Sequence, residues 1–305
     1  MTRLFELAAS PSHRLWPLVA PDRPCYPPPG SGGRMGEPTV VLITGASSGF
    51  GEAAARFLAA RGTYRVFGTS RRAAAGDLRD GVTMLPLDVR SDASVAACVD
   101  EVLRRAGRID ALVNNAGYAL AGAVEETAID EAKAQFETNF FGTARMVRAV
   151  LPLLREQGGG RIVNVSSLAG LVGVPFHAHY SASKFAVEGL TEGLRQEVRR
   201  FGIHVSLIEP GDFKTAATAA RRRAAGGLAA YAATRDRAID IMARAEQSGP
   251  DPIRFARLLL RILAARRPRL RYRLGTDAVW VPRARRLIPE SVFEWLIRGN
   301  YEMNE

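Results

Sequence analysis

"TVVLITGASSGFGEAAARFLAARG", residues 39–62, decides the fold. It opens on a short apolar, β-branched run, passes through a turn holding Gly45, Gly49 and Gly51, and continues as an alanine-rich stretch. An apolar run of this length, closed by small residues, reads as a strand buried on both faces. A glycine-rich turn alone is weak information. Placed between a first strand and a helix it says much more. Glycines there let the backbone approach a pyrophosphate, which rests on the unpaired N–H groups of the helix N-terminus.

The same alternation continues outward. "YRVFGTS", "VTMLPLDV", "ALVNNAG", "RIVNVSS" and "HVSLIEPG" are short apolar runs closed by small or polar residues. Helical patterns lie between them. In residues 91–107, Val95, Cys98, Val99, Val102 and Leu103 fall on one helical face. Asp251 and Pro252 open a later helix as N-cap and first residue. "LRYRL", residues 270–274, alternates as a seventh strand. This spacing predicts an α/β fold, a doubly wound (Rossmann) seven-stranded parallel sheet with helices on both faces, with right-handed crossovers. One catalytic domain is expected over 36–305. Residues 1–35, rich in Pro, Gly and Ser, read as a flexible extension.

Composition narrows the function. The chain has 305 residues, 47% of them hydrophobic, enough for one large or two modest domains. Two cysteines, Cys25 and Cys98, make no disulfide framework, which fits a reducing, cytoplasmic setting. No apolar run reaches the roughly 18 residues of a membrane span. Prolines break the N-terminal apolar residues, so no signal peptide is read. The net charge of +11 is concentrated at the C-terminal end, where residues 216–305 carry 18 Arg against 9 acids. Interspersed Leu, Ile, Trp and Phe make that a folded segment with a charged outer face rather than a nucleic-acid site.

Tyr180 and Lys184, in "HYSASKFAVEG", are four residues apart and share one helix face. A nearby ammonium favours a phenolate and lowers a phenol's ordinary pKa of about 10. That suits proton exchange with a substrate. Asp88 ends the third strand, where a carboxylate can accept from an adenine amino group or simply cap the strand. The second strand ends in Ser70, Arg71 and Arg72. NAD-binding doubly wound folds place an acidic residue there, for the ribose 2′-hydroxyl. Its replacement by Ser and Arg predicts NADP(H) over NAD(H), with Arg71 offering paired donors to the 2′-phosphate. His177 and His179, without Cys or Glu partners, are a poor metal site, and no metal is expected. They either flank the substrate entrance or are surface residues.

Thr44-Gly-x-x-x-Gly-x-Gly51, Asn114-Asn-Ala-Gly117, Ser167, Tyr180-x-x-x-Lys184 and Pro210-Gly211 together resemble the short-chain dehydrogenase/reductase family. The likeness covers roughly residues 38–215 and matches the compact single-domain branch. "GLVGVPFHAHYSASKFAVEGL" and "LRYRLGTDA" resemble the 17β-hydroxysteroid and retinol dehydrogenase subgroup. The resemblance implies Tyr180 as general acid or base and Lys184 as the cation beside it and the nicotinamide ribose. It implies Ser167, rather than Ser166, as the hydroxyl holding the substrate oxygen, and Asn139 as the orderer of a helix and a proton relay. It implies cofactor contacts from Thr44, Gly45, Ser47, Ser48, Gly49, Phe50, Gly51, Asp88, Val89, Asn115, Ala116, Gly117, Pro210, Gly211, Phe213 and Thr215. Phe213 departs from the family's Val or Ile. Residues 216–250 fall where the family places its substrate lid; here they are Ala-rich, without an apolar cage. A homodimer or homotetramer is expected.

The expected function is hydride transfer between NADP(H) and a small-molecule secondary alcohol or ketone, lipophilic by subgroup likeness. The alternatives are a catalytically inactive NADP-binding regulator and a membrane- or nucleic-acid-associated protein using the arginine-rich tail.

Overall fold

The structure is a computed structural model and describes residues 37–215 and 221–303. The N-terminal extension and the start of the lid, 216–220, lie outside the described residues.

The chain runs β1 (Thr39–Ile43), α1 (Gly49–Ala59), β2 (Tyr64–Ser70), β3 (Asp77–Arg79), β4 (Val82–Pro86), α2 (Asp92–Ala106), β5 (Ala111–Asn114), β6 (Leu120–Ala121) and α3 (Ile129–Phe136). A π-helical turn (Glu137–Phe141) joins α3 to α4 (Gly142–Glu156), followed by β7 (Gly160–Val165) and α5 (Ala178–Val198). Then come β8 (Ile203–Pro210), β9 (Arg222–Arg223), α6 (Ala229–Ser248), α7 (Ile253–Ala264), β10 (Arg271–Leu274), α8 (Thr276–Leu287) and α9 (Glu290–Asn300).

The main sheet has eight strands in the order β10-β8-β7-β5-β1-β2-β4-β3. The seven expected strands are all present and parallel. The eighth, β3, pairs antiparallel with β4 through a tight turn at Asp80 and Gly81, both at positive φ. Three residues with the sequence DLR carry no periodicity, so this edge is invisible in the sequence.

β1 shows why the middle of the sheet is apolar throughout: all five residues are buried. On one face α2, α4 and α5 contribute Val99, Val150 and Leu194 to a core over Leu42 and Leu112. On the other, α1 and α7 contribute Leu58, Phe255 and Leu259 over Val41 and Ile43. Side chains cap the starts of α2 and α7, although Pro252 rather than Asp251 is the N-cap of α7. Ser91 Oγ accepts from Ser94 N–H at 3.2 Å, and Asp251 Oδ1 accepts from Ile253 N–H at 2.7 Å.

The chain builds β1, β2 and β4 in one direction, then returns to build β5, β7, β8 and β10 in the other. The reversal leaves a crevice at the carboxyl ends of β1 and β5, where ligands of open α/β sheets sit. A two-stranded ribbon, β6 with β9, and α6 flank that end. The arginines of β10 lie inward: Arg271 and Arg273 pair with the fully buried Glu209 at 2.9 and 3.1 Å. Part of the basic excess therefore neutralises acids within the fold. No helix among the described residues is long and apolar enough to cross a membrane.

Candidate active site

A cleft of about 540 Å³ opens at the crevice, lined from the glycine turn through Tyr180 to Tyr301. At one end the turn after β1 is a cradle that only glycine fits. Gly45 and Gly49 have φ of +67° and +58°, and a Cβ on Gly51 would lie 2.3 Å from the Gly45 carbonyl oxygen. Ser48 precedes α1 in extended conformation and makes no side-chain capping bond. The first N–H groups of α1 therefore face the cleft ready for an anion. Thr44 is buried beneath. Its Oγ1 accepts from Asn115 N–H at 2.9 Å and Ala116 N–H at 3.0 Å, tying β1 to the end of β5. Asn115 Nδ2 donates back to the Thr44 and Gly45 carbonyls at 3.0 and 3.1 Å. Ser47, Ser48, Gly49, Phe50, Asn115, Ala116 and Gly117 line the cleft; Asn114 instead turns inward and donates to Asn164 Oδ1 at 2.9 Å. This cradle fits a dinucleotide pyrophosphate.

Ser70, Arg71, Asp88 and Val89 form the rim beyond it. Arg72 is exposed outside the lining, its N–H donating to Ser70 Oγ at 3.3 Å. Asp88 is not an open acceptor. Arg90 donates to both of its carboxylate oxygens, at 2.9 and 2.6 Å, and holds it down to about 2.

The inner end gathers the polar residues. Lys184 is buried on α5 and donates from Nζ to the Val165 carbonyl at 2.9 Å. Burial pushes its ammonium down to about 8, with Glu188 one turn on opposing. The Ser167 hydroxyl lies beside the Tyr180 phenol and draws its pKa down, and Ser167 Oγ accepts from Ala169 N–H at 3.2 Å. Ser166 points the other way, toward Glu188, and a Cβ on Gly170 would meet its Oγ at 2.6 Å. The expected lowering of Tyr180 by Lys184 is not what the structure shows. Burial raises the phenol, against the pull of the Ser167 hydroxyl. Lys184 Nζ stands 5.8 Å from the ring centroid and is committed to Val165.

Asn139 sits in the π-helical turn, 2% exposed. It accepts from Tyr118 N–H at 3.1 Å and donates to the Tyr118 carbonyl and Ser183 Oγ at 3.1 Å each. Ser183 Oγ donates on to the Tyr180 carbonyl at 2.7 Å. Asn139 thus fixes the backbone that carries Tyr180 without lining the cleft itself. Irregular π turns recur at functional sites.

The floor comes from the end of β8. Pro210 pairs with Leu274 behind the cleft, whereas Gly211, Phe213 and Thr215 line it. A Cβ on Gly211 would lie 1.8 Å from Asp277 Oδ2, so a side chain there would displace the Asp277 carboxylate. Phe213, the departure from the family residue, is accommodated by another aromatic. Its ring meets Phe50 edge-on at 5.3 Å, and Phe50 stacks on Phe255 at 4.7 Å.

His177 is buried and lines the cleft, while His179 lies outside the lining. The lid is less bare than its composition implies: α6 buries Ala238, Ile239 and Met242, and Met242 lines the cleft with Val174. Sequence reasoning missed Asp212, Arg221, Glu246 and Tyr301, which also line it. Nothing local marks them; they meet only because α6 and the segment after α9 fold back over the end of β8. Among the described residues no His/Cys/Asp/Glu group suits a metal.

The short chain dehydrogenase profile matches residues 39–226. A 3-ketodihydrosphingosine reductase of Bacteroides thetaiotaomicron is 38% identical over 87% of this chain and 98% of its own. The mouse 17-beta-hydroxysteroid dehydrogenase type 1 is 39% identical over 77% of this chain and 73% of its own. Two solved short-chain dehydrogenases share the fold. One, from Burkholderia phymatum in complex with NAD, has a TM-score of 0.71 at 29% identity, covering 82% of this chain and 93% of its own. The other, from Burkholderia cenocepacia in complex with NADP, has 0.68 at 25%, covering 85% and 98%. With the glycine cradle, the Tyr180–Lys184 pair and these likenesses in place, the chain belongs to the short-chain dehydrogenase/reductase family of oxidoreductases.

Proposed function

We propose that this protein uses NADP(H) to interconvert a lipophilic ketone and its secondary alcohol. The observation that carries the reading is the meeting of the Ser167 and Tyr180 hydroxyls beside buried Lys184, in the same cleft as the glycine cradle. The nicotinamide supplies and accepts the hydride when bound. The side chains handle the proton. Ser167 orients the carbonyl oxygen, and Tyr180 donates its phenolic proton to it in reduction. Lys184 offers donors to the cofactor ribose and a positive charge when the phenol ionises. Asn139 holds Tyr180 in place through Tyr118 and Ser183. A phenol raised by burial keeps its proton available to donate to a carbonyl oxygen. Intact Tyr180, Lys184 and Ser167 argue against an inactive regulator.

Lipophilicity has support from Val174, Leu168 and Met242 in the lining and from the likeness to a 3-ketodihydrosphingosine reductase and a 17-beta-hydroxysteroid dehydrogenase. A panel of steroid, retinoid, acyl and sugar ketones, followed by NADPH absorbance, tests the reading. Turnover confined to the sugars would remove the lipophilic class.

NADP preference rests on Arg71 at the rim, where no carboxylate follows β2 to repel a 2′-phosphate. A charged hydrogen bond contributes about 1.5–3 kcal/mol, roughly 10- to 150-fold in affinity. Arg71→Ala is expected to weaken NADPH binding by that factor and leave NADH nearly unchanged in calorimetric titrations. Equal losses for both cofactors would put the 2′-phosphate elsewhere.

The same reading makes the protein a cytoplasmic single-domain enzyme that assembles as a homodimer or homotetramer. Phe141 in the π-helical turn and Phe185 on α5, apolar side chains that such an assembly would cover, are 46% and 41% exposed. Light scattering at micromolar concentration should give a multiple of 33.0 kDa. A strictly monomeric mass contradicts it.

A further inference from the structure

The substrate side of the cleft holds charged groups that reduction of a plain ketone leaves unused. Asp212 follows the end of β8, Arg221 precedes β9, Glu246 comes from α6 and Tyr301 follows α9; all line the cleft with Tyr180. Asp277 of α8 stands behind, accepting from Asp212 N–H at 2.9 Å. Asp212, Glu246 and Asp277 therefore gather at this end of the cleft with two guanidiniums, Arg221, which is ion-paired with Glu246, and Arg222, which also lines it. Asp212 and Tyr301 register the carboxylates. Enclosure pushes Asp212 up to about 6, with Asp277 and Glu246 adding and Arg221 opposing. Burial lifts Tyr301 to about 12, and the same three carboxylates contribute.

Two buried polar side chains share this lining with unused hydrogen-bonding atoms. The Arg221 side chain is 6% exposed, yet its Nε has no partner. His177 is 4% exposed and its Nδ1 has no partner. Burial and nearby Arg221 push the imidazole down to about 3, so it is neutral and keeps one acceptor nitrogen. Its ring meets the Tyr180 ring edge-on at 5.9 Å. The preceding residue, Phe176, holds φ +56°, a conformation bulky residues rarely adopt. Its carbonyl accepts from Gly122 N–H at 2.8 Å, fixing the turn that carries His177.

We propose that this face is a subsite for an ammonium group carried by the ketone substrate a few bonds from its carbonyl. Asp212 and Glu246 are the counter-ions. His177 accepts from the ammonium or an adjacent hydroxyl, and Arg221 Nε donates to a neighbouring oxygen. The inference rests on reading the cleft as a ketone site, but its test does not require turnover.

Calorimetric titration of the NADPH-loaded full-length protein with octylamine and with octanol separates charge from apolar length. NADPH has an uncharged ring, so Asp212 cannot be serving an oxidised nicotinamide in this experiment. At about pH 8 the amine, which stays cationic throughout, is expected to bind about tenfold more tightly than the alcohol. A cation prefers ionised Asp212, so its share of the advantage is near full at about pH 8, is halved near about pH 6 and fades below it. Asp212→Asn and Glu246→Gln should each lower the amine-to-alcohol affinity ratio. Equal affinities in wild type overturn the proposal without any variant, as does a ratio that persists at about pH 5 or in both substitutions. If the amine binds as expected but no ketone is reduced, the subsite stands and the proposed reaction falls.

Discussion

Tyr180→Phe is expected to lower kcat by about 10²–10⁴-fold, the usual size of a general acid–base contribution. NADPH affinity should be nearly unchanged, because the substitution removes one hydroxyl and keeps the ring that packs against His177. No nearby group stands ready to replace the proton donor. Lys184 is committed to the Val165 carbonyl, Ser167 carries an unactivated hydroxyl, and His177 is held neutral by burial. Single-turnover NADPH oxidation, with cofactor binding measured separately, isolates the step. Activity within a few-fold of wild type would move the proton donor to another residue.

Phe255→Ala is expected to cost about 3–5 kcal/mol of stability, the range for truncating a buried phenylalanine. That is a large share of the roughly 5–15 kcal/mol by which a domain is stable. Phe255 is fully buried on α7 and stacks on Phe50, which in turn braces Phe213 in the floor of the cleft. The loss should therefore reach the cofactor site: NADPH affinity should fall together with the urea midpoint. A stability change within about 0.5 kcal/mol, typical of surface positions, would contradict the packing described.

The parts of this molecule that repeat a local pattern were legible in the sequence. β1 and β5 are buried throughout and read as short apolar runs, while β7 and β8 keep enough Ile, Val and Leu to be read as strands although they also bury Arg161, Asn164, Ser206 and Glu209. The glycine turn was legible because the backbone at Gly45, Gly49 and Gly51 admits no side chain. Tyr180 and Lys184 were legible because one helix carries both. β3 was not, since an edge strand of three mostly charged residues buries no periodic face. Nor was the direction of the Tyr180 shift, which depends on how deeply the surrounding loop buries the phenol rather than on its spacing from Lys184. The sequence singled out Arg71 over Arg72 for the 2′-phosphate, and the turn after β2 puts the first in the cleft lining and the second outside it. The charged group of Asp212, Arg221, Glu246 and Tyr301 spans about ninety residues of chain and exists only as a tertiary arrangement.

Transfer of deuterium from NADPH labelled at the nicotinamide C4 tests the central claim most directly. With a ketone from the reactive panel, mass spectrometry of the product alcohol should show one deuterium on the former carbonyl carbon when one face of the nicotinamide is labelled, and none when the other is. Alcohol formed without label from either face, or no alcohol from any ketone although NADPH binds in the cleft, would contradict the account.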